Sequence, residues 1–221
     1  MIKSPVGDGR TINGIGFNAA DNYIYGAVGT GTSTNLIRIS SSGSSVVFGS
    51  LSYTISGGDV DENGYYWGTD NGNKWVQIDL RLGSATYVQI VTSGTVTTAP
   101  EYPIYDWAYV SGGGNYLYAV GYSYGLVGIF ANTYLLQFNR ATKAWKTITN
   151  YGNIVPNLIS TTTWGAVYAS DDNALYASEN GSGQIWKLPL PPAAGSTAKK
   201  VSNGPSASSN DGARCINAKG L

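Results

Sequence analysis

The 221-residue chain contains no histidine and a single cysteine, Cys215. Without histidine there is no Ser-His-Asp or Cys-His catalysis and no histidine-held zinc. There is also no side chain that titrates near neutrality unperturbed. One cysteine excludes an internal disulfide and a multi-thiolate metal site. In "DGARCIN" it reads as a small buried hydrophobe. Charge is scarce as well: 13 basic and 13 acidic residues cancel, and charged residues make up 12% of the chain. With no basic excess, nucleic acid and anionic membrane surfaces are not expected partners. No apolar run approaches the ~20 residues of a membrane-spanning helix. The opening "MIKSPVGDGR" lacks the hydrophobic stretch of a signal peptide.

Glycine (30), tyrosine (17) and tryptophan (6) are abundant, beside many Ser, Thr and Asn. Such a polar, uncharged, aromatic-bearing surface is common in secreted and cell-surface β proteins, so an extracellular or cell-surface setting is expected. "NGS" at Asn180 is the sole glycosylation sequon.

Apolar residues alternate with period two or form short β-branched and aromatic runs, such as "YIYGAV", "WVQIDL" and "YLYAVGY". These predict strands, with Gly, Asn, Asp and Ser turns between them. The strands follow one template. A first strand of small residues begins near Gly14, Gly57, Trp107 and Gly165, with a further start at Gly212. Each is followed by a turn and aromatic second strand ("DNYIYG", "ENGYYWG", "GNYLYAVG", "DNALYAS"). Third strands read "NLIRIS", "WVQIDL", "YLLQFN" and "QIWKLPL", and fourth strands "SVVFGS", "TYVQIV", "AWKTIT" and "AKKVSN". Four strands per unit of ~40–50 residues is the mark of a β-propeller blade, which buries its faces only by packing on neighbouring blades. Small residues in the first strand suit the crowded axis.

The expected fold is therefore an all-β, single-domain β-propeller over residues 1–221, with about five blades of four antiparallel strands. The closing blade is incomplete and shared between the termini. Its first strand comes from "NDGARCINAKGL", its outer strand from "MIKSPVG", and about 25 residues for the middle strands are missing. Trimming, a rudimentary blade, or strands supplied by another chain through β-augmentation would each account for the gap.

The repeats "INGIGFNAADNYIYG" and "GDVDENGYYW", the "LIRIS" and "QIDL" strands and the closing "NDGARC" resemble an uncharacterised family of secreted fungal and bacterial β-propeller domains. The resemblance implies a propeller and an extracellular setting. It carries no established activity and no catalytic residues. Members usually have an extra N-terminal "LYxVDLxTG" segment, which is not found here.

Three groups of residues could carry chemistry. "GGDVDENGYYWGTD" spaces Asp59, Asp61, Asn63 and Asp70 like the oxygen ligands of a calcium loop. The competing reading is the hairpin of the second repeat, with a two-residue Asn63-Gly64 turn and positive φ at both positions. No other cofactor is expected. Second, the residues just before each first strand, Asn13, Ser56, Asp106, Trp164 and Asp211, would ring the mouth of the axial channel. There Asp106 and Asp211 could hold a cation or polar ligand, or act as the carboxylate pair of a glycosidase; alternatively each Asx side chain caps backbone N–H groups. Third, the aromatics, Trp107, Tyr122, Tyr124 and Trp164 among them, could stack on sugar rings. The segments "EYPIYDW", "GYSYGLVGIFANTY" and "YGNIVPNL" would serve as binding loops. The competing role is to fill the wedges between blades. The stretch "PLPPAAGSTAKKVSNGPSASSNDG" reads as an exposed connector with solvated Lys199 and Lys200.

The leading functional expectation is a non-catalytic extracellular binding or adhesion module for a glycan or surface polymer. A structural subunit completed by another chain and a carboxylate-based glycoside hydrolase or lyase are the alternatives.

Overall fold

The computed structural model describes residues 5–31, 34–124, 131–155, 163–190, 197–215 and 217–219. Among them the chain forms four antiparallel four-stranded sheets, each drawn from one continuous stretch. The first contains β1 (Ile12–Asn18), β2 (Tyr23–Val28), β3 (Asn35–Ile39) and β4 (Ser45–Ser50). The second contains β5 (Gly57–Val60), β6 (Tyr65–Asp70), β7 (Lys74–Asp79) and β8 (Ile90–Thr95). The third contains β9 (Trp107–Tyr109), β10 (Tyr116–Tyr122), β11 (Thr133–Asn139) and β12 (Trp145–Gly152). The fourth contains β13 (Trp164–Ala169), β14 (Ala174–Glu179), β15 (Gln184–Pro189) and β16 (Lys199–Asn203). Strand order within each sheet is sequence order, and the innermost strands pack in succession, β1 on β5, β5 on β9 and β9 on β13. This is a β-propeller of four blades.

The expected fifth blade is absent from the described residues. Residues 210–215 lie against β13 and reach β1, but they enter no ladder. Asp211 Oδ2 accepts from Ile15 N at 3.1 Å, and Gly212 packs on Ala166 and Tyr168. The chain then curls instead of running outward. Ala218 N donates to Cys215 O, while Ala218 O accepts from Asp171 N and Ser170 Oγ. Among the described residues this segment pairs with no second strand and no fifth sheet forms. Residues 1–4 of the expected outer strand "MIKSPVG" lie outside the described residues, and residues 5–7 join no ladder. The chain there makes a single 3-10 turn, Gly7–Gly9, set against Ile12, Val28 and Ile37 of the first blade. Cys215 is only partly buried.

The core lies in three wedges. Tyr25, Leu36, Val60, Tyr66, Val76 and Ile78 fill the first, between blades one and two. Trp67, Trp75, Trp107, Leu136, Phe138 and Trp145 fill the second. Val110, Val120, Leu135, Trp164, Val167 and Leu188 fill the third. Small residues let the inner strands close on one another. A Cβ on Gly16 would come within 2.5 Å of Asp59 Cα, and one on Gly57 within 2.5 Å of Asp106 Cα.

Two local departures from expectation have clear causes. The turn of the second blade is a three-residue loop, Glu62-Asn63-Gly64. Asp61 N donates to Tyr65 O at 2.9 Å, Gly64 N donates to Asp61 O at 3.1 Å, and in this loop Gly64 alone takes positive φ, at 75°. The outer strand of that blade starts at Ile90 rather than Thr86, because Asp79 curls the intervening chain. Its carboxylate accepts from Arg81 Nε and Nη2, Ser84 Oγ and Thr86 Oγ1, at 2.6–2.9 Å. Val88 takes φ 58° there and returns a backbone bond to Asp79 O.

Candidate functional site

The ends of the inner strands meet around a cavity of about 340 Å³, lined by Asn13, Ser56, Tyr105, Thr163, Gly165, Asn180 and residues 208–210. Among the described residues no charged side chain lines it. Of the five predicted mouth positions, Asn13 and Ser56 are there. Asp106, Trp164 and Asp211 are displaced by one residue, and their predecessors Tyr105, Thr163 and Asn210 line the cavity instead. Along extended chain a one-residue step turns a side chain to the opposite face.

The three inner carboxylates act as staples between blades. Asp106 is 1% exposed. Its Oδ1 accepts from Trp107 N at 2.9 Å and from Gly58 N of blade two at 3.1 Å. Its Oδ2 accepts from Val167 N of blade four at 2.8 Å. Asp59 Oδ2 accepts from Tyr109 N of blade three at 2.9 Å, and Oδ1 from Val60 N at 2.8 Å. Asp211 receives Ile15 N and Gly212 N. Each aspartate thus caps backbone donors, and across a blade boundary. Among the described residues no cation pairs with them. Burial pushes the Asp59 carboxyl up to about 8, against the pull of the Tyr109 and Val60 N–H groups and with Asp211 and Asp61 adding to the rise. Burial likewise lifts Asp211 to about 7 and, with Asp211 beside it, raises Asp106 well above the usual range. Both Asp106 oxygens are occupied by backbone donors, and neither Asp106 nor Asp211 lines the cavity, so the pair is not set across a substrate as a glycosidase requires.

The four calcium-loop oxygens do not converge. Asp61 Oδ1 accepts from Asn63 N and Tyr65 N, and its Oδ2 from Trp67 Nε1 and Arg140 Nη1 at 2.8 Å. Asp70 lies at the far end of β6, opposite Lys74, roughly 10 Å along the strand from the Asp59 pairing position. The role a cation would fill falls to Arg140 of the third blade, 6% exposed, which also grips both Glu62 oxygens at 2.8 Å. Among the described residues no acidic, cysteine or histidine side chains gather as a metal cluster.

The aromatics divide between wedge and mouth. Trp107 and Trp164 are fully buried; Trp107 Nε1 donates to Trp67 O, while Trp164 Nε1 finds no acceptor among the described residues. Tyr105, Tyr122 and Tyr124 form a ladder beside the mouth. The Tyr105 and Tyr122 rings stack with centroids 6.2 Å apart and their hydroxyls meet at 3.2 Å, and Tyr124 packs edge-on against Tyr122 at 5.4 Å. Tyr122 is buried, Tyr105 is partly open and Tyr124 is 70% exposed. Residues 125–130 of "GYSYGLVGIFANTY", 156–158 of "YGNIVPNL" and 191–196 of the connector lie outside the described residues.

Sequence reasoning missed Asn180 as a mouth residue. In the β13–β14 hairpin Trp164 pairs with Glu179, so Asn180 follows the second strand at the end where Thr163 enters the first, and Asn180 N donates to Thr163 O. Antiparallel pairing was the available signal. The amide oxygens of Asn180 and Asn210 are buried at the cavity floor without hydrogen-bond partners among the described residues. Both press on Gly165, where a Cβ would collide with them. The arrangement offers acceptors, hydroxyls and one phenol ring, and can bind a ligand rich in hydroxyl donors.

Among solved structures the chain is similar to virginiamycin B lyase from Staphylococcus aureus, at 14% identity and TM-score 0.44, covering 86% of this chain and 54% of that one. It is also similar to the Cps50 (Swd1) β-propeller domain of Myceliophteria thermophila, at 11% identity and TM-score 0.42, covering 83% and 56% respectively. The chain thus spans about half the length of each, and likeness at this level carries no activity across. No curated protein sequence matches the chain. Residues 4–217 match the model of a repeat of unknown function (DUF6923), and the chain belongs to that family.

Proposed function

We propose that the chain is a non-catalytic binding module that takes a neutral, hydroxyl-rich ligand, a glycan or similar surface polymer, at the axial mouth. In this reading it works outside the cell or at its surface. One observation carries the proposal: two buried amide oxygens, on Asn180 and Asn210, have no donors among the described residues, and both residues line a polar cavity with no charged lining side chain among them. A buried acceptor without a donor costs about 1–3 kcal/mol. A small rotation about the soft χ2 of either amide turns its oxygen toward a ligand hydroxyl. Tyr105 supplies the apolar face on which a sugar ring stacks, and the polar wall formed by Asn13, Ser56 and Thr163 sets orientation.

The test is a glycan array followed by calorimetry on any neutral sugar retained. Asn180→Ala is expected to weaken binding by about tenfold, equivalent to one hydrogen bond of ~1.4 kcal/mol, without lowering the melting temperature. Retention of no sugar by the folded protein, or full affinity in the variant, contradicts the proposal.

A further inference from the structure

We infer that the ligand is a neutral linear oligosaccharide chain rather than a single sugar, and that it runs from the axial mouth over Tyr105 into a second groove between blades two and three. This rests on the binding reading proposed above. The second groove, about 480 Å³, is lined by Asn71, Asn73, Glu101, Tyr102, Pro103 and the same Tyr105 that lines the mouth. Each cavity by itself has the size of a small-ligand pocket. They are joined on the polar side as well. Asn71 N, in the groove, donates to Ser56 Oγ, in the mouth, at 2.8 Å. Tyr105 stands at the boundary, 39% exposed, its ring held in place by the stack on Tyr122 and by their shared hydroxyl contact. Tyr102 is clamped face to face on Tyr134, with centroids 3.5 Å apart and planes 8° from parallel, which fixes the groove wall before any ligand arrives. A rigid aromatic between two amide-lined cavities matches a chain of rings, with one ring stacked and its neighbours hydrogen-bonded on either side.

The charge pattern selects among such chains. Among the described residues the mouth has no charged side chain and the groove has one, Glu101, whose Oε2 accepts from Thr147 Oγ1 at 2.8 Å. Among the described residues no cation lines either cavity, so a uronate or sulfated chain would meet an acid without a neutralising partner there.

Calorimetry on the intact chain, with linear gluco-, manno-, xylo- and N-acetylglucosamine oligosaccharides of one to six units, tests the inference. For the series that binds, affinity is expected to rise about tenfold or more from monosaccharide to tetrasaccharide. Tyr105→Ala should lower tetrasaccharide affinity by about tenfold. Asn73→Ala, an exposed turn side chain, should lower it by about threefold, and it keeps the test available if Tyr105→Ala does not fold. An oligouronate of equal length should bind more weakly than the neutral chain. Equal affinity for one and six units overturns the extended ligand while leaving the mouth reading intact. An oligouronate that binds as well as the neutral chain overturns the charge selection. If the folded protein binds none of these sugars, both readings fall together.

Discussion

Asp59 concentrates the residue-scale physics of the axis. It lies among Tyr66, Asp61, Asp106 and Asp211, with no cation on any packed element. Burial is the main reason its carboxyl is raised to about 8, from about 3.9 in an unfolded chain. Between those values the native state holds more protons than the unfolded one, so stability is greatest at the acid end of this window and falls as pH rises through it. Asp211, raised to about 7, adds in the same direction. The expected outcome is a melting temperature that declines from pH 5 to pH 8. Asp59→Asn should flatten that decline by the equivalent of about one proton. A melting temperature rising over this range contradicts the assignment. Asp79 works the other way at lower pH. Its hydrogen bonds to Arg81, Ser84 and Thr86 hold it well below the usual carboxylate range, so its stabilisation is lost only in strong acid.

At the scale of the element, the second-blade hairpin explains why one spacing suited two chemistries. Alternate acids in "DVDEN" put oxygen ligands on one side of a tight turn, as a calcium loop does. The same oxygens also suit a guanidinium. Burial pulls the Glu62 carboxyl upward, but the Arg140 hydrogen bond and charge outweigh it and hold the group low. Arg140 ties the turn to the end of β11, and its guanidinium lies 5.3 Å from the centre of the Tyr109 ring. Removing one partner of a buried pair leaves the other uncompensated. Arg140→Ala is therefore expected to cost about 3–5 kcal/mol in denaturant unfolding. A loss below ~1 kcal/mol would reduce this contact to an exposed surface pair.

Across the whole molecule, stability resides in three inter-blade wedges and in the closeness of the inner strands. Gly57 and Gly49 make the contrast measurable. A Cβ on Gly57 would meet Asp106 Cα and Tyr105 O at 2.5 Å, both of them backbone atoms that cannot rotate away. Gly57→Ala should thus cost roughly 1–3 kcal/mol or more by forcing blades two and three apart. It should also weaken ligand binding, because Tyr105 moves with the strand. Gly49 of β4 faces open space, so Gly49→Ala should be neutral or stabilising by about 0.5 kcal/mol. Equal effects at the two sites would argue against close packing at the axis.

The repeating unit and its strands are legible in the amino-acid order. Period-two alternation and Gly/Asn/Asp turns are local signals; they put β5 and β9 at their true starts, Gly57 and Trp107, and β1 and β13 two and one residues late, at Gly14 and Gly165 instead of Ile12 and Trp164. The same order also marked Asn13 and Ser56 as mouth residues, because position relative to a strand start is local. The remaining features arise from contacts between distant parts of the chain. "NDGARC" carries the first-strand pattern of a blade, yet whether a first strand becomes a sheet depends on partners elsewhere in the chain. Here Asp211 accepts from Ile15 N and Cys215 O accepts from Ala218 N instead. Asp106 and Arg140 were equally open in sequence, because their partners lie 61 and 79 residues away. A carboxylate poised to catalyse and one that staples two blades have the same covalent structure. Burial and the donors placed around it separate the two roles, and both exist only after the blades have packed.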